Sequence, residues 1–208
     1  MTLAQDYINQ YYPLFQRNTV TKLDLANELL EGNLSLETFI NLEELDCSNN
    51  NITKLTLGSS KLHCLDCSRN NLTDLDLTHV NSTELTYLRI SNNKLTQRDL
   101  SIFSRFTNLE VLTIGSDTDK KFNNFVGSLK PLQTLRNLKN LDISNTNIDS
   151  GLEYLPDSLI SIYCYNDKKI ASLDSFLGIL TIHDALKVHN FQISKWRKAN
   201  ISDYIEIH

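Results

Sequence analysis

One spacing, LxxLxLxxNxL, recurs along this chain and leaves few folds open to it. It is complete in Leu42, Leu45, Cys47, Asn50 and Ile52, in Leu62, Leu65, Cys67, Asn70 and Leu72, and in Leu85, Leu88, Ile90, Asn93 and Leu95. Weaker copies are Val20, Leu23 and Leu25 with Glu28 at the Asn position, and Leu109, Leu112 and Ile114 with Asp117 there. Two more are Leu138, Leu141 and Ile143 with Thr146, and Leu159, Ile162, Cys164, Asp167 and Ile170. Starts at 20, 42, 62, 85, 109, 138 and 159 give steps of 22, 20, 23, 24, 29 and 21 residues. Each copy reads as a short strand whose side chains alternate between two faces, with positions 4 and 6 inward and 3, 5 and 7 outward. The Asn at position 9 follows the strand, where main-chain groups are buried. Its amide both donates and accepts, so Asn50, Asn70 and Asn93 are expected to stack as a ladder that satisfies them.

The 35 leucines and 23 asparagines among 208 residues fit such an array, and 40% hydrophobic residues exclude a disordered chain. Over residues 20–170 the sequence resembles the leucine-rich repeat family. LDCSNNNITKL and LDCSRNNLTDL are similar to the short repeats of internalin-like and fungal spindle-pole scaffold proteins. FTNLEVLTIG and LKPLQTLRNLKNLDISNTNIDSGLEYLPDSL resemble expanded repeat proteins of soil-dwelling symbiotic fungi. The resemblance implies an α/β fold, a leucine-rich repeat solenoid that is a right-handed β-α superhelix with a parallel sheet on its concave face. It also implies a non-enzymatic protein–protein interaction module, a signalling adaptor or scaffold. The alternative is an inhibitor or substrate-recognition subunit that regulates an enzyme.

Three segments are expected: an N-terminal helical cap over 1–19, about seven repeats over 20–170, and a C-terminal helical cap over 171–208, because an array must seal its Leu-lined ends. Thr2 and Gln5 have capping-box spacing ahead of Tyr7, Ile8 and Tyr11. ITKLTL and LTDLDL leave room only for extended connections. Leu100, Phe103 and Phe106, the stretch beginning near Pro131, and Asp149 to Leu155 read as helices on the convex side.

Other motifs carry less. Cys64 and Cys67 spell CxxC, but position 3 faces outward and position 6 inward, so one strand cannot aim both sulfurs at one metal. The five histidines form no HxxxH pair, and six scattered glycines form no phosphate loop, so no catalytic residue, cofactor or metal is expected. A net charge of −5 argues against nucleic acid as partner, and no apolar run reaches the ~20 residues that span a bilayer. The first twenty residues lack a secretory pattern, so the expected location is cytoplasmic, and sealed ends favour a monomer.

The expected partner is another protein bound on the concave face. Residues 1–80 carry 5 basic and 11 acidic groups, against 15 and 14 in 81–208, so the face has an acidic end suited to a basic segment. The outward columns nominate Asp24, Glu44, Asp46, Asp66, Tyr87, Arg89, Thr113, Asp142, Tyr163 and Tyr165 as partner-binding residues. The carboxylates would steer binding, while the aromatic and arginine side chains would anchor it. The competing reading makes Asp at position 5 and Ser at position 7 ordinary residues of the repeat.

Overall fold

The computed structural model describes residues 2–117, 121–164 and 187–188. Its strands are β1 (Thr2–Leu3), β2 (Lys22–Asp24), β3 (Leu30–Leu36), β4 (Glu44–Asp46), β5 (Asn51–Leu57), β6 (Cys64–Asp66) and β7 (Tyr87–Arg89). They continue as β8 (Val111–Thr113), β9 (Val126–Ser128), β10 (Asn140–Asp142), β11 (Asn147–Ser150), β12 (Ser161–Tyr163) and β13 (Lys187–Val188). One sheet runs β2-β4-β6-β7-β8-β10-β12 with every neighbouring pair parallel, and β13 lies antiparallel along β12. Its register aligns Leu23, Leu45, Leu65, Leu88, Leu112, Leu141 and Ile162 in one row. That row is position 4 of the repeat, so the fold is a parallel-sheet solenoid with few helices.

Positions 4 and 6 fill the interior. Leu25, Cys47, Cys67, Ile90, Ile114, Ile143 and Cys164 form the second inward row, and none is more than 7% exposed. Behind it the asparagine ladder forms as the spacing predicts. Asn70 donates from Nδ2 to the carbonyls of Cys47 (2.9 Å), Cys67 (3.2 Å) and Ser68 (3.2 Å), and its Oδ1 accepts from the Ile52 amide (2.9 Å). Asn50 serves the carbonyls of Leu25, Cys47 and Ser48 and the Leu30 amide in the same way, and Asn93 those of Cys67, Ile90 and Ser91 and the Leu72 amide. The next rung is Asn123, not the residue at the Asn position, Asp117. Asn123 donates to the Ile90 and Ile114 carbonyls at 2.8 and 3.0 Å and accepts from Leu95. Asn123, six residues further on, fills the slot, while Asp117 is exposed.

Five coils reverse through a left-handed residue at position 8: Asn27, Asn49, Arg69, Asn92 and Asn145 have φ between 52° and 63°. Asparagine tolerates this region better than other side-chain-bearing residues, which gives the paired asparagines of the motif separate reasons to exist.

On the convex side the ITKLTL connection is extended, as expected, and the later connections depart from expectation. The ITKLTL stretch is β5, which pairs with β3, a strand the repeat pattern does not announce. LTDLDL forms no strand, although Leu72, Leu75 and Leu77 are buried. The expected convex helices are single 3₁₀ turns at Leu100–Phe103, Lys130–Thr134 and Leu152–Tyr154. Leu100, Phe103 and Phe106, and likewise Leu129, Leu132, Leu135 and Leu138, recur every three residues and are all buried. That is the 3₁₀ period, whereas an α-helix alternates three and four. Asp149 belongs to β11, which pairs with β9, so the helix expected over 149–155 is reduced to the turn at Leu152–Tyr154.

At the N-terminal end, helix α1 (Ala4–Tyr11) buries Ala4 and Ile8, and β1 extends β3. Thr2 lies in β1 and Gln5 Oε1 accepts from the Ser35 amide at 2.9 Å, so the capping-box pairing is not formed. A short helix, α2 (Leu14–Arg17), ends on Arg17, which is 5% exposed. Its guanidinium donates to Tyr12 O (2.7 Å), Asn9 Oδ1 (2.8 Å) and Thr38 Oγ1 (3.3 Å) and lies over the Phe39 ring. The expected cap over 171–208 lies outside the described residues, apart from β13.

Several carboxyls are held below their ordinary range by hydrogen bonds: Asp74 by Arg98 (2.7 Å), Asp76 by the Thr78 amide, Asp99 by Ser101 and Glu44 by Lys22. A carboxyl whose folded pKa is depressed stabilises the fold fully above its unfolded value, and that contribution disappears as pH falls through the folded value. The melting temperature is therefore expected to stay level from pH 7 to about 5 and to fall below about 4. Asp74→Asn should remove part of that fall, and an unchanged acid profile would contradict the assignment.

Candidate functional site

The outward residues of the parallel sheet make one continuous face. Position 3 contributes Lys22, Glu44, Cys64, Tyr87, Val111, Asn140 and Ser161, and position 5 contributes Asp24, Asp46, Asp66, Arg89, Thr113, Asp142 and Tyr163. All the nominated residues except Tyr165, which lies outside the described ones, therefore share this face. Glu44 accepts from Lys22 at 2.7 Å and has His63 Nε2 at 3.7 Å. Arg89 lies over the Tyr87 ring, 5.0 Å from its centre, and 4.0 Å from Asp66. Burial raises the Tyr87 hydroxyl pKa.

The acidic column has local work as well. Oδ1 of Asp24, Asp46, Asp66 and Asp142 accepts the main-chain N–H two residues later, at 3.0, 2.9, 3.0 and 2.9 Å. These Asx turns end the strands, and Asp66 also accepts from the Ser68 hydroxyl at 2.6 Å. The D-x-S signature in Asp46–Ser48, Asp66–Ser68 and Asp142–Ser144 carries this signal in the sequence. A carboxylate has two oxygens, so one can hold the turn while the other stays available to a partner.

Past Asp66 the face changes character. Arg89 and Thr113 replace the aspartate, and the Thr113 and Ser144 hydroxyl oxygens are buried with no hydrogen-bond partner among the described residues. Gly115 lets β8 approach the next turn: a Cβ there would lie 2.5 Å from the Ser144 amide nitrogen. An open hollow of about 390 Å³ lies on this part of the face, lined by Arg69, Arg89, Thr113, Asp117, Asp142 and Tyr163 among others. Arg69 and Asp117 are ion-paired across its rim. Neither was evident as a site residue from sequence. The available signal is that Arg69 occupies a left-handed turn position that asparagine holds in four other coils.

The CxxC pair divides as the alternation requires: Cys64 is half-buried on the face, whereas Cys67 is fully buried inside. Burial first, and then the charges of Glu44, Asp66 and Asp46, push the Cys64 thiol up. Burial raises Cys47 and Cys67 further and takes Cys164 up to about 12. Among the described residues, no group of three or more His, Cys, Asp or Glu could hold a metal ion, and no helix is long and apolar enough to cross a membrane.

A sequence profile for Zer-1-like leucine-rich repeats matches residues 53–177, and a general leucine-rich repeat profile matches 41–60. The first spans more than half of the chain. The chain belongs to the Zer-1-like leucine-rich repeat family. No curated protein matches this leucine-rich repeat chain. Among solved structures it is similar to internalin C2 of Listeria monocytogenes, with 20% identity over 73% of this chain and 83% of that one and a TM-score of 0.43. It is also similar to the functional domain of InlJ from the same organism, which includes a cysteine ladder, with 20% identity, 78% and 53% coverage and a TM-score of 0.38. Internalin F of that organism is 17% identical over 83% and 72% of the two chains, with a TM-score of 0.37.

Proposed function

We propose that this leucine-rich repeat chain is a non-enzymatic protein–protein interaction module, a signalling adaptor or scaffold that receives a basic segment of its partner on the concave face. The observation carrying this reading is that Asp24, Asp46 and Asp66 stand side by side on three adjacent strands, each tied into its turn through one oxygen. A row of fixed carboxylates on a rigid sheet attracts cations without reordering, which favours fast and selective association. Tyr87 and Arg89 adjoin the row and suit the anchoring role.

Charge reversal would disturb the turns, so the informative variant replaces Asp24, Asp46 and Asp66 together by asparagine, which keeps the Oδ1 acceptors. It is expected to melt within a few degrees of the parent. In capture from native extract it should lose the parent's partners, and raising the salt should weaken the parent in the same way. An unchanged partner set would retire the proposal.

A further inference from the structure

Four aspartates in the position-5 column close their own turns, so replacing one with another residue gives up a local function. Arg89 is such a replacement. Its guanidinium makes no hydrogen bond among the described residues; it stacks on Tyr87 and lies 4.0 Å from Asp66. Its register partner on β8 is Thr113, whose buried hydroxyl oxygen also has no partner. An exposed cation with Asp66 as its one ion-pair contact among the described residues, in a hollow of about 390 Å³, has room for one side chain bearing acceptor oxygens. The other cation there, Arg69, is already paired with Asp117.

We propose that this hollow is a carboxylate-binding subsite, which takes an aspartate or glutamate side chain of the docked segment on the Arg89 guanidinium, beside Thr113. It rests on the basic-segment reading above and adds an acidic residue at a defined place in that segment. The planar arginine fork matches a carboxylate, offering two parallel N–H donors. Asp117 and Asp142 in the lining oppose a doubly charged phosphate more than a single carboxylate. Neighbouring strands lie about 4.8 Å apart, so Asp24 to Arg89 spans three steps, roughly 14 Å, or about four residues of extended chain. The fitting ligand has a basic residue and, four positions along, an acid.

The peptide Ac-KAKAEA-NH2 has that pattern. Titrated into the ¹⁵N-labelled full chain, it is expected to move the Arg89 Nε–Hε and Thr113 amide resonances saturably, together with those of β4 and β6. It should bind at least about fivefold more tightly than Ac-KAKAQA-NH2, roughly 1 kcal/mol by the tenfold-per-1.4 relation. Arg89→Gln, which alters an exposed side chain, should erase that difference. Equal binding of the two peptides, with shifts confined to β4 and β6, overturns the subsite and leaves the basic-segment reading standing. Shifts nowhere on the sheet overturn both. Tighter binding of the phosphoserine peptide Ac-KAKA(pS)A-NH2 than of the glutamate peptide overturns the carboxylate assignment.

Discussion

Replacing Asn70 by leucine is expected to lower the melting temperature by about 5–15 °C, by the usual few degrees per kcal/mol for a chain of this size. Asn70 is fully buried, and its side chain serves four main-chain groups on two adjacent coils: the carbonyls of Cys47, Cys67 and Ser68 and the Ile52 amide. Leucine satisfies none of them. A buried donor or acceptor left unpaired costs about 1–3 kcal/mol. Some of these carbonyls retain a second partner, since Asn50 and Asn93 also reach Cys47 and Cys67. The Ile52 amide has no such substitute among the described hydrogen bonds, so its loss sets the lower bound. Asn71→Ala is the control, because that residue is half-buried and its amide meets only Asn51 (3.3 Å). It should melt within a degree or two of the parent. If the two variants melted alike, the ladder would not be what holds the coils together.

Gly58→Ala is the second large expected effect, and it arises from space alone. A Cβ on Gly58 would lie 2.2 Å from the Glu37 carbonyl oxygen and 2.6 Å from both its carbonyl carbon and its Cα. All three are main-chain atoms, so no rotamer change relieves the contact. The strands must part where Leu36 and Leu57 pair, and Ser59 must shift from its 2.6 Å bond to the Leu42 carbonyl. The expected loss is about 3 kcal/mol, the upper end for overpacking, with hydrogen-exchange protection falling first in β3 and β5. Gly127→Ala gives the comparison. Gly127 has φ of +82° and nothing within 4 Å of the added carbon, so only backbone strain of about 1 kcal/mol is added. If Gly127→Ala proved the more harmful, the packing of β3 on β5 would need revision.

Much of this architecture was legible in the sequence for one reason: positions 4 and 6 are read by burial alone. Leu23 to Ile162 align because an aliphatic side chain every second residue has only one face to enter. The ladder was legible where the motif runs unbroken. Its next rung was not legible, because spacing puts Asp117 at the Asn position whereas Asn123 fills the slot. The convex turns were misread for a different reason. Leu100, Phe103 and Phe106 suggested helix by their apolar period, and only the unvarying step of three separates a 3₁₀ turn from an α-helix. At the candidate site the columns could be written down in advance. The Asx turns, the hollow and the Arg69–Asp117 pair depend on where side chains point once adjacent coils are in place.

Asn50, Asn70 and Asn93 take their partners from the main chain alone, and every coil offers the same main-chain atoms. A rung is therefore indifferent to which amino acids stand above and below it. An array joined in this way can grow or shrink by duplicating or deleting a whole coil without first evolving matched side chains at the seam. The length of the platform, and so the reach of whatever lies along it, can change in single inheritable steps.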